Sequence, residues 1–286
     1  MFQGLKRKSL AEKVLYCFVS LIFLIVAASY LYILVWTVIS SLKTHPEIVL
    51  KPFANPEKWQ WKNYLELATV FQVGEHNFWD MVFNSMWFSV VGALLNQLTT
   101  ITFAYICTKY VFPGSKLVNT IILIMISLPI YGSSGAAYKL YHDLGLLDNY
   151  AHVLLSCSGF SMWFLYYRAY FKNLSSTYLE AAFLDGASDL QAYVRVMFPQ
   201  ARPIFTACFI TTWLGSWNSY ESTLVYLPNL PTLPVGIYQF NAEMIYKARL
   251  DVLFAGCVLV SIPAIVIFVA FNKILTENVS LGGIKG

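Results

Sequence analysis

The residues that could do chemistry in this chain fall mainly in two clusters. The first runs from Thr177 to Pro203, the longest polar interruption in the second half of a very apolar sequence. Thr177 with Glu180, and Ser188 with Gln191, each have capping-box spacing: a hydroxyl takes an orphaned amide of the first helical turn while the partner side chain reaches back. Gly186 lies between the two boxes, where a chain leaving a helix needs a positive φ. Pro199 cannot donate to a helix ladder and is expected to end the second helix. Pro203 suits the first turn of the apolar helix that follows. The spacing therefore predicts two short helices joined by a hinge, either a mechanical part or a plain connector. The second cluster is Trp217, Asn218, Tyr220 and Glu221, near the outer half of an apolar run. Aromatic faces and hydrogen-bonding groups suit a hydroxylated ligand along a candidate substrate path. They equally suit helix packing with an interfacial aromatic belt.

Catalytic patterns are missing. The chain has no G-x-x-x-x-G-K-[ST] phosphate loop, no G-x-S-x-G, no H-E-x-x-H and no paired buried carboxylates. ATP hydrolysis, if it drives anything here, is expected on a separate subunit, and the chain itself is read as no enzyme. His45, His76, His142 and His152 are scattered without ligand spacing, so no metal site is expected. Cys17, Cys107, Cys157, Cys208 and Cys257 fall in or beside apolar runs and read as small buried hydrophobes.

The first cluster carries a resemblance. Glu180-Ala181-Ala182, then Asp185-Gly186-Ala187-Ser188, then Phe198-Pro199 with Pro203, resembles the EAA loop of inner-membrane permease subunits of bacterial ATP-binding-cassette importers. The Asp-Gly-Ala-Ser form is most like the sugar-transporter branch, beside the maltose permease subunits. Leu144 to Tyr150, Trp163 to Phe171, Trp217-Asn218 and the Gly-rich end from Leu281 to Gly286 extend the likeness over most of the chain. Two positions depart from it: Ser175-Ser176 and Thr223-Leu224 stand where relatives often carry a proline.

The resemblance implies a type I importer permease fold of about six transmembrane helices in the cytoplasmic (inner) membrane. It implies that the loop over 172–203 couples to an ATPase through Glu180, Ala181, Ala182, Asp185, Gly186 and Pro199. It implies a second homologous permease, an ATPase dimer and an extracytoplasmic solute-binding protein as partners, with a sugar or oligosaccharide as cargo. No cofactor is expected on this chain, since ATP and Mg would sit on the partner subunits. A similar Gly-rich tail reaches between the ATPase subunits in the maltose branch. The alternatives are an importer permease for a non-sugar solute, and an ion-coupled secondary carrier. The carrier predicts inverted repeats and mid-membrane ionisable groups. Neither is evident.

Composition demands elements to hold these clusters in lipid. Of 286 residues, 58% are hydrophobic, 17% aromatic and only 12% charged, about half the charge of a globular chain. With a mean hydropathy of +0.59 and repeated long apolar runs, this reads as an all-α polytopic membrane protein. The net charge of +4 comes without a basic stripe interleaved with stacking aromatics, so no nucleic-acid partner is expected.

Residues 1–13 form a basic head. The spans are expected at about 14–40, 80–109, 117–131, 150–167, 203–219 and 253–271, within a permease domain over 14–275. Residues 276–286 are a cytoplasmic tail. The run after the basic head is too long for a signal peptide. Asn84, Asn96 and Gln97 inside the second span should face other helices or a cavity. Residues 41–79 read as a polar external loop, and Pro228, Pro231 and Pro234 deny a continuous helix after the fifth span. Lys and Arg concentrate on the segments assigned to the cytoplasm, which puts both termini and the 177–203 loop inside.

Overall fold

The computed structural model describes residues 9–110, 112–128, 134–242 and 249–279, with side chains through Asn272. The expectations for the end of the third span after Leu128, for the basic residues before Ser9 and for the tail from Leu281 lie outside the described residues. The described chain is built from helices. In order they are α1 (Leu10–Ser41), α2 (His45–Leu50), α3 (Lys62–Val70), α4 (Phe78–Met86), α5 (Gly92–Lys109), α6 (Ser115–Ser127), α7 (Ser134–Asp143), α8 (Met162–Asn173), α9 (Thr177–Leu184), α10 (Asp189–Ala192), α11 (Phe198–Asn218), α12 (Glu221–Tyr226), α13 (Leu233–Ala242) and α14 (Leu250–Val279). A π-turn at Trp87–Val91 joins α4 to α5, a second at Tyr193–Met197 joins α10 to α11, and a 3₁₀ helix spans Tyr150–Ser156.

Among the described residues three helices are long and apolar enough to cross a membrane: Leu10–Ser41, Phe78–Lys109 and Leu250–Asn272. Ser115–Ser127 is apolar but shorter. The expected fourth span is corrected. Tyr150–Ser156 is a 3₁₀ turn and helix resumes only at Met162. Irregular backbone at membrane depth needs protein partners for its polar groups, and the second span supplies them. Trp87 Nε1 donates to the Tyr150 carbonyl at 3.1 Å, Asn96 Nδ2 to the Ser156 carbonyl at 3.1 Å, and Thr100 Oγ1 to the Ser158 carbonyl at 2.8 Å. The inward role expected of Asn84, Asn96 and Gln97 is thereby seen in atoms. Gln97 donates to Thr212 Oγ1 at 2.6 Å and accepts from Tyr167 at 2.6 Å, and Asn84 accepts from Tyr150 at 2.9 Å.

The chain divides into two compact units. One comprises residues 1–71 and 240–259, the other 72–239 and 260–286. In the first, a Ser9–Glu12 capping box starts α1, whose side chains stay exposed until its last turns. The stretch expected to be a loop folds instead as α2 and α3. Its centre is a buried lysine, Lys43, whose ammonium donates to the carbonyls of Lys51 (3.1 Å) and Pro52 (2.9 Å). Asn63 Nδ2 donates to the carbonyls of Ser41 and Lys43, both at 2.9 Å. Arg249 pairs with Glu66 and with Asp251.

The second unit is centred on α5 packed against α8, with Ile101, Ala104, Phe164, Tyr167 and Phe171 fully buried. Each such large apolar side chain contributes about 1.5–3 kcal/mol relative to exposure. Leu179 and Ala182 of α9, Ala192 of α10 and Ala201 of α11 join the same core. The polar loop is thus seated on the bundle by its small and apolar inner face. Of the cysteines, Cys107 and Cys208 are buried, but Cys17 and Cys157 are exposed, which corrects the expectation that all five are inside.

Candidate functional site

The polar loop is the better defined of the two candidate regions. Its first helix, α9, ends in a Schellman motif: the Ala187 amide donates to the Ala182 carbonyl at 2.9 Å and the Gly186 amide to the Phe183 carbonyl at 3.0 Å. Gly186 has φ +79°, as the sequence predicts for the hinge. Ser188 and Gln191 form the expected capping box, with Ser188 N–H on Gln191 Oε1 at 3.0 Å and Gln191 N–H on Ser188 Oγ at 3.4 Å.

Two expectations are corrected. Thr177 and Glu180 form no capping box. Ser176 already has helical backbone, φ −70° and ψ −16°, so Thr177 lies inside the helix and cannot cap it. Ser175 takes over, accepting from the Thr177 amide at 3.2 Å. Nor does Pro199 end the second helix. The π-turn at Tyr193–Met197 shifts the ladder, and Pro199 falls in the first turn of α11 directly after it, so the helix continues through the proline. Pro203 then lies inside α11, one turn later than expected. A helical rod therefore runs from Asp189 to Asn218 without a break.

This geometry makes a knob with a defined outer surface. Ala182 faces the core, while Glu180, Ala181, Asp185 and Gly186 face outward. Leu184 is 89% exposed and Leu190 is 70% exposed, one on each side of the hinge. The two leucines add apolar area to an otherwise polar outer surface. The Tyr110 and Tyr193 hydroxyls near the loop are both pushed above the ordinary tyrosine range, desolvation being the largest cause, so both are neutral donors at physiological pH.

The second region is a cavity of about 160 Å³ inside the second unit. Its wall is rich in hydroxyls: Ser85, Ser89, Ser156, Ser216, Ser219, Ser222, Thr223 and Thr232, with His152 and the rings of Phe88 and Trp217. The hydroxyls of Ser89 and Thr232 are buried without a hydrogen-bond partner. An orphaned buried hydroxyl costs about 1–3 kcal/mol, so these two are unmet hydrogen-bonding capacity in the residues that line the cavity. The π-turn at Trp87–Val91 carries Ser89, and its irregular ladder sets that side chain on the cavity wall.

Of the second sequence cluster, Trp217 lines the cavity and spends its indole N–H on the Val260 carbonyl at 3.0 Å. Asn218 donates back to the Leu214 carbonyl of its own helix at 2.8 Å, and Tyr220 stacks on Tyr238 at 4.9 Å. Glu221 is exposed at the start of α12. Asn218, Tyr220 and Glu221 do not line the cavity. Sequence reasoning missed the serines, although those at 216, 219 and 222 recur every third residue.

Residues 100–281 match the family described as "Binding-protein-dependent transport system inner membrane component". The chain is 28% identical over 255 residues to the diacetylchitobiose uptake system permease protein NgcG of Streptomyces coelicolor, covering 87% of this chain and 82% of that one. It is 26% identical over 272 residues to the arabinooligosaccharides transport system permease protein AraQ of Bacillus subtilis, covering 93% and 95%. Among solved structures, a chain from the crystal structure of a bacterial ABC transporter involved in the import of the acidic polysaccharide alginate shares the fold. The TM-score is 0.76 at 22% identity, over 93% of this chain and 98% of that one.

Proposed function

The chain belongs to the binding-protein-dependent transport system inner membrane components, a family of multi-pass membrane permeases, and from that premise we propose that it carries a sugar or oligosaccharide inward as one subunit of an ATP-driven importer. The observation that carries this reading is the exposed knob between Thr177 and Ala192: two helices locked by a Schellman motif and a capping box, with Leu184 and Leu190 presented outward. Such a knob suits the cleft of an ATPase subunit, with Glu180, Ala181, Asp185, Gly186 and Pro199 as the coupling positions and Ala182, turned into the core, seating the helix on the bundle. A second permease, two ATPases and an external solute-binding protein complete the assembly. Both termini and the knob lie in the cytoplasm in this reading. ATP-driven closure of the ATPases moves the knob, and the spans alternate access to a central path.

The cargo reading draws on the printed names of the relatives and on the hydroxyl-lined cavity. A sugar offers donors and acceptors in every direction and an apolar ring face. Ser89 and Thr232 supply unsatisfied hydroxyls, and Trp217 supplies an aromatic wall. The test is reconstitution in proteoliposomes with the cognate ATPase, second permease and binding protein. The reading expects ATP-dependent uptake of a labelled oligosaccharide. Uptake of an amino acid or peptide in place of any sugar would overturn the cargo assignment.

A further inference from the structure

The coupling knob has two feet on the bundle, and two consecutive residues hold both. Lys109, the last residue of α5, donates its ammonium to the carbonyl of Leu174 at 2.6 Å, just before the knob begins. Tyr110 donates its hydroxyl to Asp189 Oδ1 at 2.8 Å, just after the hinge. A second layer backs this clasp. Tyr105 stacks on Tyr193 at 4.7 Å and its hydroxyl meets that of Tyr110 at 3.3 Å, while Thr102 and Tyr193 share a hydrogen bond of 2.8 Å. The helical rod that ends in this clasp begins at Phe78, and near its far end Ser85 and Ser89 line the hydroxyl-rich cavity.

We propose that Lys109 and Tyr110 are positioning residues that couple the knob to the cavity wall. They clasp both ends of the 175–188 segment, so that a displacement of the knob drags the Phe78–Lys109 rod and with it Ser85 and Ser89. The inference rests on the knob being the ATPase contact proposed above. The physical ground is stiffness. A continuous helix transmits axial and tilting displacements, whereas a foot held only by apolar packing can slide. Without the clasp the knob remains joined to α11 through the chain itself, while the rod of α4 and α5 is held to it only by the Tyr105–Tyr193 layer and apolar packing, and so follows it less closely. The motion would then reach the wall carried by this rod only in part.

The test uses the full assembly with Lys109→Met, Tyr110→Phe, the double variant, and Lys109→Arg, which keeps a donor. Two readouts are taken. One is sugar moved per ATP hydrolysed. The other ignores the cargo: the ATP-driven change in thiol labelling of Ser85→Cys, in a chain whose five native cysteines are replaced. The clasp predicts unchanged ATPase co-purification and basal hydrolysis. It predicts a fall in both readouts by about fivefold for each hydrogen bond lost, with Lys109→Arg close to the unaltered chain. Unchanged readouts in the double variant overturn the proposal. So does loss of ATPase co-purification, which would make the clasp a mere support for folding the knob. An unaltered assembly with no ATP-driven labelling change also overturns it. ATP-driven labelling without uptake of any sugar would leave the clasp standing and sink the sugar assignment instead.

Discussion

Replacing Gly186 isolates the hinge from every other feature of the knob. Its φ is +79° and a Cβ built there would meet nothing within 4 Å, so alanine brings no clash. The whole cost of Gly186→Ala is backbone strain, about 1–2 kcal/mol for an L-residue in the left-handed region. Asparagine tolerates that region better and should cost less. Gly186→Pro is the severe case: proline cannot adopt the conformation and lacks the N–H that bonds the Phe183 carbonyl at 3.0 Å. A penalty of 1–2 kcal/mol shifts a local equilibrium by about 5–30-fold. Apparent affinity for the ATPase should therefore fall by up to that factor for alanine, less for asparagine and more for proline. Thermal stability of the permease in detergent should fall by no more than that same 1–2 kcal/mol for alanine, because the residue packs against nothing. Titrating the ATPase onto immobilised permease measures the series. If Gly186→Pro captures the ATPase as well as the unaltered chain does, the bent knob is not the docking element.

Three further outcomes follow from the geometry. Gly159→Ala should lower thermal stability by about 1–3 kcal/mol, the usual cost of overpacking. Its Cβ would lie 2.8 Å from Cδ1 and 3.1 Å from Cγ of Phe103, a ring pinned between Phe160 and Phe164. Ser89→Ala and Thr232→Val each delete a buried hydroxyl with no partner, so stability should hold or rise. Each should also raise the half-saturating sugar concentration in single-turnover binding by about fivefold, one hydrogen bond's worth. Hydrogen bonds from Arg249 first and Lys62 second hold the Glu66 carboxyl below the ordinary carboxylate range. A depressed acid stabilises the fold above its unfolded pKa, and that stabilisation is lost as pH falls through the folded value. Melting curves from pH 7 down to pH 3 should thus show an acid-labile component that Glu66→Gln removes.

Much of this was legible in the sequence, and the misses have physical causes. Gly186 and the Ser188–Gln191 box were readable because φ > 0 and cap chemistry are local demands. The inward role of Asn84, Asn96 and Gln97 was readable because amides in lipid need partners. The fourth span misled because Tyr150–Ser161 is apolar enough to look helical. Its backbone is satisfied by donors more than fifty residues away, which no local pattern reveals. Pro199 misled for a related reason: the π-turn before it leaves no mark in composition. The 41–79 segment read as loop because its helices are short and its few buried apolar residues gather around a buried lysine, a polar centre that no periodic stripe announces. The cavity was half visible: Trp217 was found, while Ser89 and Thr232 come together from residues far apart in the chain.

One measurement bears most directly on the claim that this chain is moved by a motor it does not contain. Uptake is followed in proteoliposomes holding the full assembly, with ATP inside, and again with an ATPase that binds nucleotide but cannot hydrolyse it. The account predicts sugar accumulation in the first and none in the second, whatever ion gradient is imposed. Accumulation that persists without hydrolysis and follows a proton or sodium gradient would contradict it.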